Sequence, residues 1–177
     1  MQDFLTFAQK NNVQLLETGN CQFCGAICSK GVFECLQNYD HLLEFLELQK
    51  VREHFSRFMS IDAHALQHSE IHGRWSNHFH LTRLYLVLER NIVWEYKKSP
   101  QLSNHLKEYK LDHANETLLV PPYEQRGRIT TLHFKEILSK EQCFQLVRNW
   151  GESVYEAWRA NHELVRTIGD SFLEKRN

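Results

Sequence analysis

Near the C-terminus, residues 139–173 read SKEQCFQLVRNWGESVYEAWRANHELVRTIGDSFL, the longest helical pattern in the chain. Its large apolar side chains return every three or four residues, which is the period of a helix with one buried face. Ser139 and Gln142 fit a capping box at the start of this helix. The pattern predicts one long helix over residues 139–173, with a buried stripe formed by Trp150, Val154, Trp158, His162, Val165, Ile168 or Gly169, and Phe172.

The same helical period recurs along the rest of the chain. It predicts helices over residues 2–11, 35–59, 61–69, 75–91, 101–112 and 130–138. Ser60 is the expected N-cap of the helix over 61–69, and two rotated apolar faces within 35–59 predict a helix that bends or packs on two sides. We therefore expect an all-α fold, a bundle of four to five main helices, in a single helical domain over residues 1–177.

Charge and hydropathy exclude several classes of protein. The 21 basic and 22 acidic residues give a net charge of −1, which argues against a nucleic-acid binder because such proteins carry a basic excess. The most apolar segment, residues 81–94, is interrupted by Arg83, Glu89 and Arg90, so no membrane span is expected. No secretory signal is visible at the N-terminus. We expect a cytoplasmic protein, and the sequence indicates no partner and no oligomeric state.

Four of the five cysteines fall between Cys21 and Cys35, in a region without helical period. Cys21 and Cys24 form a C-x-x-C pair followed by Gly25, a spacing that lets two thiolates bind one tetrahedral ion. Cys35 lies near the start of a helix, whose positive end favours a thiolate. Since clustered cysteines in a reducing compartment more often bind metal than form structural disulfides, we predict a metal-knuckle loop over residues 17–35.

A tetrahedral ion needs a fourth ligand, and the residues alone leave two sources open. One is Cys28, which would complete an all-thiolate set, and the other is a histidine from the bundle. Zinc is the usual metal of closed sulfur and nitrogen sites, and it is favoured over an iron–sulfur cluster. The histidine candidates either share one helix face at four-residue spacing or interrupt apolar stripes, and they are His64, His68, His72, His80 and His162; Asp62 and Glu89 are the nearest acids that could orient such rings.

Short motifs spread over residues 21–168 resemble a bacterial family of uncharacterised proteins, the domain-of-unknown-function 5946 family. The resemblance is collinear, and it departs from the family pattern in three places. Gln22-Phe23 stands where Pro-Gly is expected, His64 stands where Tyr is expected, and Cys28 has no counterpart. The motifs that carry the resemblance are Cys21-Gln22-Phe23-Cys24-Gly25, Cys35, Asp62 to His68, His80-Leu81, Leu88-Glu89-Arg90, Pro121-Pro122, Arg126-Gly127 with Thr130, Trp150, Val154, Ala157-Trp158 and His162.

The resemblance implies that one set of polar residues forms a shared constellation, although it brings no known reaction. Within that set His68 becomes the preferred fourth ligand beside Cys21, Cys24 and Cys35. His80, His162, Cys28 and His64 are the secondary metal candidates. The implied constellation consists of Cys21, Cys24, Cys35, Asp62, His68, His80 and His162.

Three functions are compatible with this sequence. In the first, zinc tethers the N-terminal loop to the bundle of a binding or regulatory protein. In the second, three protein ligands leave one metal position open for water, and Asp62 or His162 serves as the general base of a hydrolase-like enzyme. In the third, Cys21 and Cys24 form a reversible thiol redox sensor.

Overall fold

Seven α-helices build the part of the chain that the structure, a computed structural model, describes, namely residues 2–49, 55–109, 117–136 and 139–175. No strand occurs within these ranges, and an isolated bridge pairs Gly19 with Lys30. The all-α prediction is confirmed, with more helices than the four to five expected. The helices are α1 (Gln2–Asn11), α2 (Gly31–Leu48), α3 (Phe55–Gln67), α4 (Arg74–Leu88), α5 (Lys98–Glu108), α6 (Lys140–Ala157) and α7 (His162–Glu174).

The central helix is α3, which packs against α2, α4 and α6. On its far side α4 also contacts α5 and α7. Gly151 lets α6 approach α3 closely, because a Cβ at this position would collide with the side chain of the buried Met59. The main hydrophobic core therefore lies between these helices. Among the described residues, no helix is both long enough and apolar enough to cross a membrane.

A second, smaller cluster of buried side chains surrounds the N-terminal loop. The loop folds back on the start of α2 at Gly31. This position requires glycine because its φ is +53 and because a Cβ there would collide with the carbonyl oxygen of Leu16. The 3-10 helix Thr131–Phe134 packs on the other side of α2. The cluster consists of Phe4, Cys21, Phe23, Cys24, Ala26, Cys28, Val32, Cys35 and Leu36.

The single helix predicted over residues 139–173 is wrong. Its start is correct, since the Ser139 hydroxyl accepts a hydrogen bond from the backbone N–H of Gln142. The helix breaks after Ala157, however, and continues as α7 only after a 3-10 turn, Arg159–Asn161. At this break the side-chain amide of the buried Asn161 donates to the carbonyl of Trp158 at 3.2 Å, and it also pairs with the backbone N–H and carbonyl of Leu119.

The middle of the chain also departs from its predicted elements. The region 35–59, predicted as one helix, contains parts of two helices, α2 and α3, and their separate buried faces explain the two rotated apolar faces of the pattern. Residues 50–54 lie outside the described ranges. Ser60 is not an N-cap, since it lies inside α3 and its hydroxyl donates to the carbonyl of Arg57. The helix predicted over 101–112 is α5, which begins earlier, at Lys98, and ends earlier, at Glu108. The segment predicted to be helical over 130–138 contains only the 3-10 helix Thr131–Phe134 within its described part, since residues 137 and 138 lie outside the described ranges.

Candidate metal centre

The Cys21–Gly25 segment forms a tight turn at the tip of the N-terminal loop. The backbone N–H of Gly25 donates to the carbonyl of Cys21 at 2.8 Å, and the N–H of Cys21 donates to the carbonyl of Ala26 at 2.9 Å. Gly25 has φ +72, a conformation that costs little only for glycine. The turn therefore holds the two cysteines of the C-x-x-C pair on one small scaffold, as the spacing predicts.

Cys35 reaches the same point from the first turns of α2. It is fully buried, and its sulfur lies 3.7 Å from the Cys24 sulfur. Its Sγ also lies 3.2 Å from the hydroxyl oxygen of Thr131, which opens the 3-10 helix packed on α2. A hydroxyl at this distance can donate to a thiolate and thereby hold the sulfur in place.

His68 follows directly on α3 and supplies the only ring nitrogen that touches these sulfurs among the described residues. Its Nδ1 lies 2.7 Å from the carbonyl oxygen of His64. Because a carbonyl only accepts, Nδ1 must be the protonated nitrogen, and Nε2 is left to act as a ligand. Nε2 lies 3.7 Å from the Cys21 sulfur and 3.5 Å from the Cys35 sulfur.

The four donor atoms have the spacing of a tetrahedral metal site. The three sulfurs and the nitrogen all lie within 4.8 Å of one another. A zinc ion with bonds of about 2.3 Å to sulfur and about 2.0 Å to nitrogen would separate its ligands by about 3.8 Å and about 3.5 Å. The sulfurs of Cys24 and Cys35 are 3.7 Å apart, and His68 Nε2 lies 3.7 and 3.5 Å from the sulfurs of Cys21 and Cys35, which is close to these values. The cysteines are unbridged, which leaves all the sulfurs available to a cation.

Burial and charge tie the four side chains together. All four are buried, with His68 and Cys35 fully so. Hydrogen bonds from Cys24 and Cys35 lower the pKa of Cys21, whereas Cys35, as the donor, has its pKa raised. Burial lowers the pKa of His68, but the negative charge of Cys24 and the contact with Cys21 raise it to about 10. The group therefore favours a thiolate paired with a cation, and a divalent ion would replace its protons.

Arg126 connects the turn to the end of α3 without contributing a donor atom. The guanidinium Nη1 donates to the carbonyl of Phe23 at 2.9 Å and to the carbonyl of Gln67 at 3.2 Å, and the same group pairs with Glu70. Phe23 lies between the two turn cysteines, and Gln67 precedes His68. Spacing and charge in the sequence do not identify this role for Arg126, and its only signal is its place in the family motif.

Gln67 supports the loop that carries Arg126. Its amide nitrogen donates to the carbonyls of Arg126 and Ile129 at 3.1 and 2.8 Å, and its amide oxygen accepts from the Trp150 indole at 3.0 Å. The same loop approaches α6 at Gly127, whose φ is +117. Gln67 thus holds the loop that carries Arg126, and the adjacent His68 contacts the sulfurs.

Cys28 and His64, two secondary candidates, lie beside the donor group but outside it. Cys28 is buried, and burial together with the charges of Cys21 and Glu34 raises the pKa of its thiol to about 11. The His64 ring stacks on Tyr39 with centroids 3.7 Å apart, and burial holds its pKa well below the ordinary value. His64 acts on the site through its carbonyl, which orients His68.

Asp62, His80 and His162 do not belong to the group formed by the four donors. The seven residues that the resemblance implies as one constellation therefore lie in separate groups. Asp62 accepts from the His80 ring at 2.7 Å and from the Arg83 guanidinium, in a group formed by α3 and α4. This agrees with the prediction that Asp62 orients a histidine ring. His162 donates to the carbonyl of Tyr155 at 2.9 Å and stacks on its ring at 4.0 Å. Neither histidine lies in the four-residue group.

The comparison with known families agrees with the resemblance drawn from the motifs. The family model described as "Family of unknown function (DUF5946)" matches residues 19–159. The matched residues include all four members of the donor group and Arg126. No curated protein and no solved structure matches the chain.

Proposed function

Because the chain belongs to the DUF5946 family, whose function is unknown, its role has to be inferred from its own residues, and we propose that it is a zinc-binding protein. The ligands are the thiolates of Cys21, Cys24 and Cys35 and the Nε2 atom of His68. The observation that carries this proposal is the tetrahedral spacing of the four buried donor atoms. The metal fastens the N-terminal loop to the helical bundle in a protein with a binding or regulatory role.

The composition of the donor group favours zinc over other metals. Three sulfurs with one imidazole form one of the usual ligand sets of structural zinc. An iron–sulfur cluster holds its cysteines around several metal atoms, whereas here all four donors lie within 4.8 Å of one another. This short separation suits a single ion.

The site is closed in this proposal. Four protein ligands complete a tetrahedron and leave no position for a reactive water, as is typical of structural rather than catalytic zinc. The burial of all four side chains supports the same conclusion. The hydrolase-like alternative would need an open metal position, and the redox alternative would need the sulfurs to be accessible to an oxidant.

Elemental analysis of matched cysteine variants tests the proposal. Purified without chelators, the wild-type protein is expected to contain one zinc per chain. Cys35→Ser should lose most of this zinc, because it removes a ligand, whereas Cys28→Ser should retain it although Cys28 is also buried in the same small cluster. Equal zinc contents in the two variants, or a zinc-free wild type, would refute the proposed ligand set.

A further inference from the structure

A cleft of about 1010 Å³ lies on the opposite side of α3 from the main contact with α6, between α2, α4 and the start of α5. Its walls combine five apolar or aromatic side chains with six polar or charged ones, so a ligand could both pack and form hydrogen bonds there. None of the four metal-site donors lines it. The lining residues that carry the argument are Glu44, Ile61, Phe79, His80, Arg83 and Ser99.

His80 lines this cleft, and a hydrogen bond to Asp62 fixes the orientation of its ring. Its Nδ1 lies 2.7 Å from Oδ1 of Asp62, which is almost fully buried. Because the carboxylate accepts, Nδ1 donates, and in the neutral ring the lone pair lies on Nε2. Nε2 has no hydrogen-bond partner among the described residues, and the side chain stays 12% exposed. The carboxylate therefore fixes the ring so that Nε2 is the atom left to accept a hydrogen bond.

The Asp62 carboxylate is held rigidly by Arg83. The Nε of Arg83 lies 3.0 and 2.9 Å from the two carboxylate oxygens, and Nη2 lies 2.6 Å from Oδ1. The guanidinium is also packed near three aromatic rings, 4.9 to 5.6 Å from their centroids. Asp62, His80 and Arg83 therefore form a preorganised polar group at the edge of the cleft.

The charges around the cleft indicate what it would accept. The positive charge of Arg83 is paired with Asp62, and Arg57 lies 3.6 Å from the Glu47 carboxylate. Glu44 adds a further carboxylate to the lining. No cation is therefore left to attract an anionic ligand among the described lining residues. An uncharged ligand avoids repulsion by Glu44 and Glu47 and the cost of burying an unpaired charge.

A hydroxyl group complements two polar side chains of the lining, His80 and Ser99. It can donate to Nε2 of His80 and can accept from the Ser99 hydroxyl, whose oxygen itself accepts from Trp94 at 3.2 Å and from Arg83 at 3.4 Å. We propose that this cleft is a binding site for a small, uncharged, aromatic hydroxyl compound, whose ring packs on the apolar walls and whose hydroxyl donates to His80. This site is separate from the proposed zinc site and does not require it.

The ligand test uses three probes of similar size, namely phenol, toluene and benzoate. Titrated into the intact protein and followed by backbone NMR shifts, phenol should perturb amides around the cleft with a dissociation constant on the order of 1 mM, as suits so few atoms. Toluene, which lacks the hydroxyl, should bind about fivefold more weakly. Benzoate should bind most weakly because of its charge. Binding of benzoate as tight as that of phenol, or phenol shifts confined to other regions, would overturn the proposal.

Two variants and one control locate the contact. In His80→Asn the side-chain amide replaces the Nδ1 donor to Asp62 but removes Nε2, so phenol should bind about fivefold more weakly while toluene binding is unchanged. Ile61→Trp fills the cleft and should abolish the binding of both compounds. His41→Asn, at an exposed position on α2, should change neither. If phenol binds His80→Asn or Ile61→Trp as it binds the wild type, the assignment of the site is wrong.

Discussion

Arg126 connects the cysteine-bearing turn with the end of α3 by hydrogen bonds to backbone carbonyls, and it does not contact the metal-site donor atoms. Its guanidinium is buried and binds the turn between Cys21 and Cys24 on one side and the end of α3 on the other. A zinc ion with three thiolates and one imidazole carries a net charge of −1, so a buried cation nearby also offsets its charge. Outer residues of this kind orient the ligands of a metal and adjust its affinity.

Replacing Arg126 should weaken metal binding without removing a ligand. We expect Arg126→Met to lower the affinity for zinc by about tenfold or more, because the turn and α3 lose their shared donor. Competition with a chromophoric zinc chelator would measure the change. Arg128→Met, two residues away and exposed, is the control and should keep the wild-type affinity. Equal affinities in the two variants would contradict the role of Arg126.

Gly25 is the second residue outside the donor set on which the site depends. A side chain there would be forced into the left-handed region and would lie 3.2 Å from the Tyr123 ring. We expect Gly25→Ala to destabilise the zinc-loaded protein by about 1–2 kcal/mol, as measured by urea unfolding. Gly73→Ala should cost less, because its Cβ would meet nothing within 4 Å and its φ of −69 suits any residue, which leaves only the penalty for alanine at the N-cap of α4. A neutral Gly25→Ala would show that the turn has another conformation.

The sequence predicts the cysteine ligands of the site better than it predicts the histidine ligand. Cys21, Cys24 and Cys35 could be grouped from the sequence, because they are separated by few residues in one loop. Helical period alone could not select His68 over His80 and His162, because that choice depends on how α3 lies against the loop. The resemblance supplied the preference for His68, but its single constellation included residues that the fold places in separate hydrogen-bonded groups.

Among the helices, α3 is central because its different faces pack against different neighbouring helices. One face packs on α6, another on α4, and the residue that follows its last turn is His68. Asp62 and Gln67, two polar residues of this helix, are nearly or fully buried, and both are paired with side chains of other elements. The helical period predicts such a helix, but it does not predict the break between α6 and α7, where Asn161 pairs with Leu119, a residue distant in sequence.

Because α6 approaches α3 closely at Gly151, we expect Gly151→Ala to destabilise the wild-type protein but to stabilise a variant that lacks the Met59 side chain. A Cβ at Gly151 would collide with Cγ and Sδ of Met59, so Gly151→Ala should lower the free energy of unfolding by about 1–3 kcal/mol. In a Met59→Ala background the collision is removed, and the same change should stabilise the protein by about 0.5–1 kcal/mol, the usual gain of alanine in a helix. Urea unfolding of the four proteins measures both effects. A stabilising Gly151→Ala in the wild type would contradict the observed packing.

At the scale of the whole molecule, two clusters of buried side chains divide the described residues. The larger one lies among α3, α4, α6 and α7, and the smaller one surrounds the N-terminal loop and includes the three thiol donors. A cluster of this size gains little from hydrophobic burial alone, so a metal is a suitable second source of stability. His68 and Arg126 connect the smaller cluster to the bundle.

Metal removal should therefore loosen the loop before the bundle. After treatment with a strong chelator, we expect faster protease cleavage within residues 12–30, while the far-UV circular dichroism of the helices is largely retained. Adding zinc back should restore the protection. Cooperative loss of all helices on chelation would show instead that the bundle also depends on the metal, and unchanged cleavage would show that the loop does not.

Zinc-edge X-ray absorption spectroscopy on protein purified without chelators would identify the atoms bound to the metal. We expect bound zinc with three sulfur ligands at about 2.3 Å and one nitrogen ligand at about 2.0 Å. A shell of four sulfurs would place Cys28 in the site instead of His68. A shell without sulfur, or protein that carries no zinc, would contradict the proposed metal centre altogether.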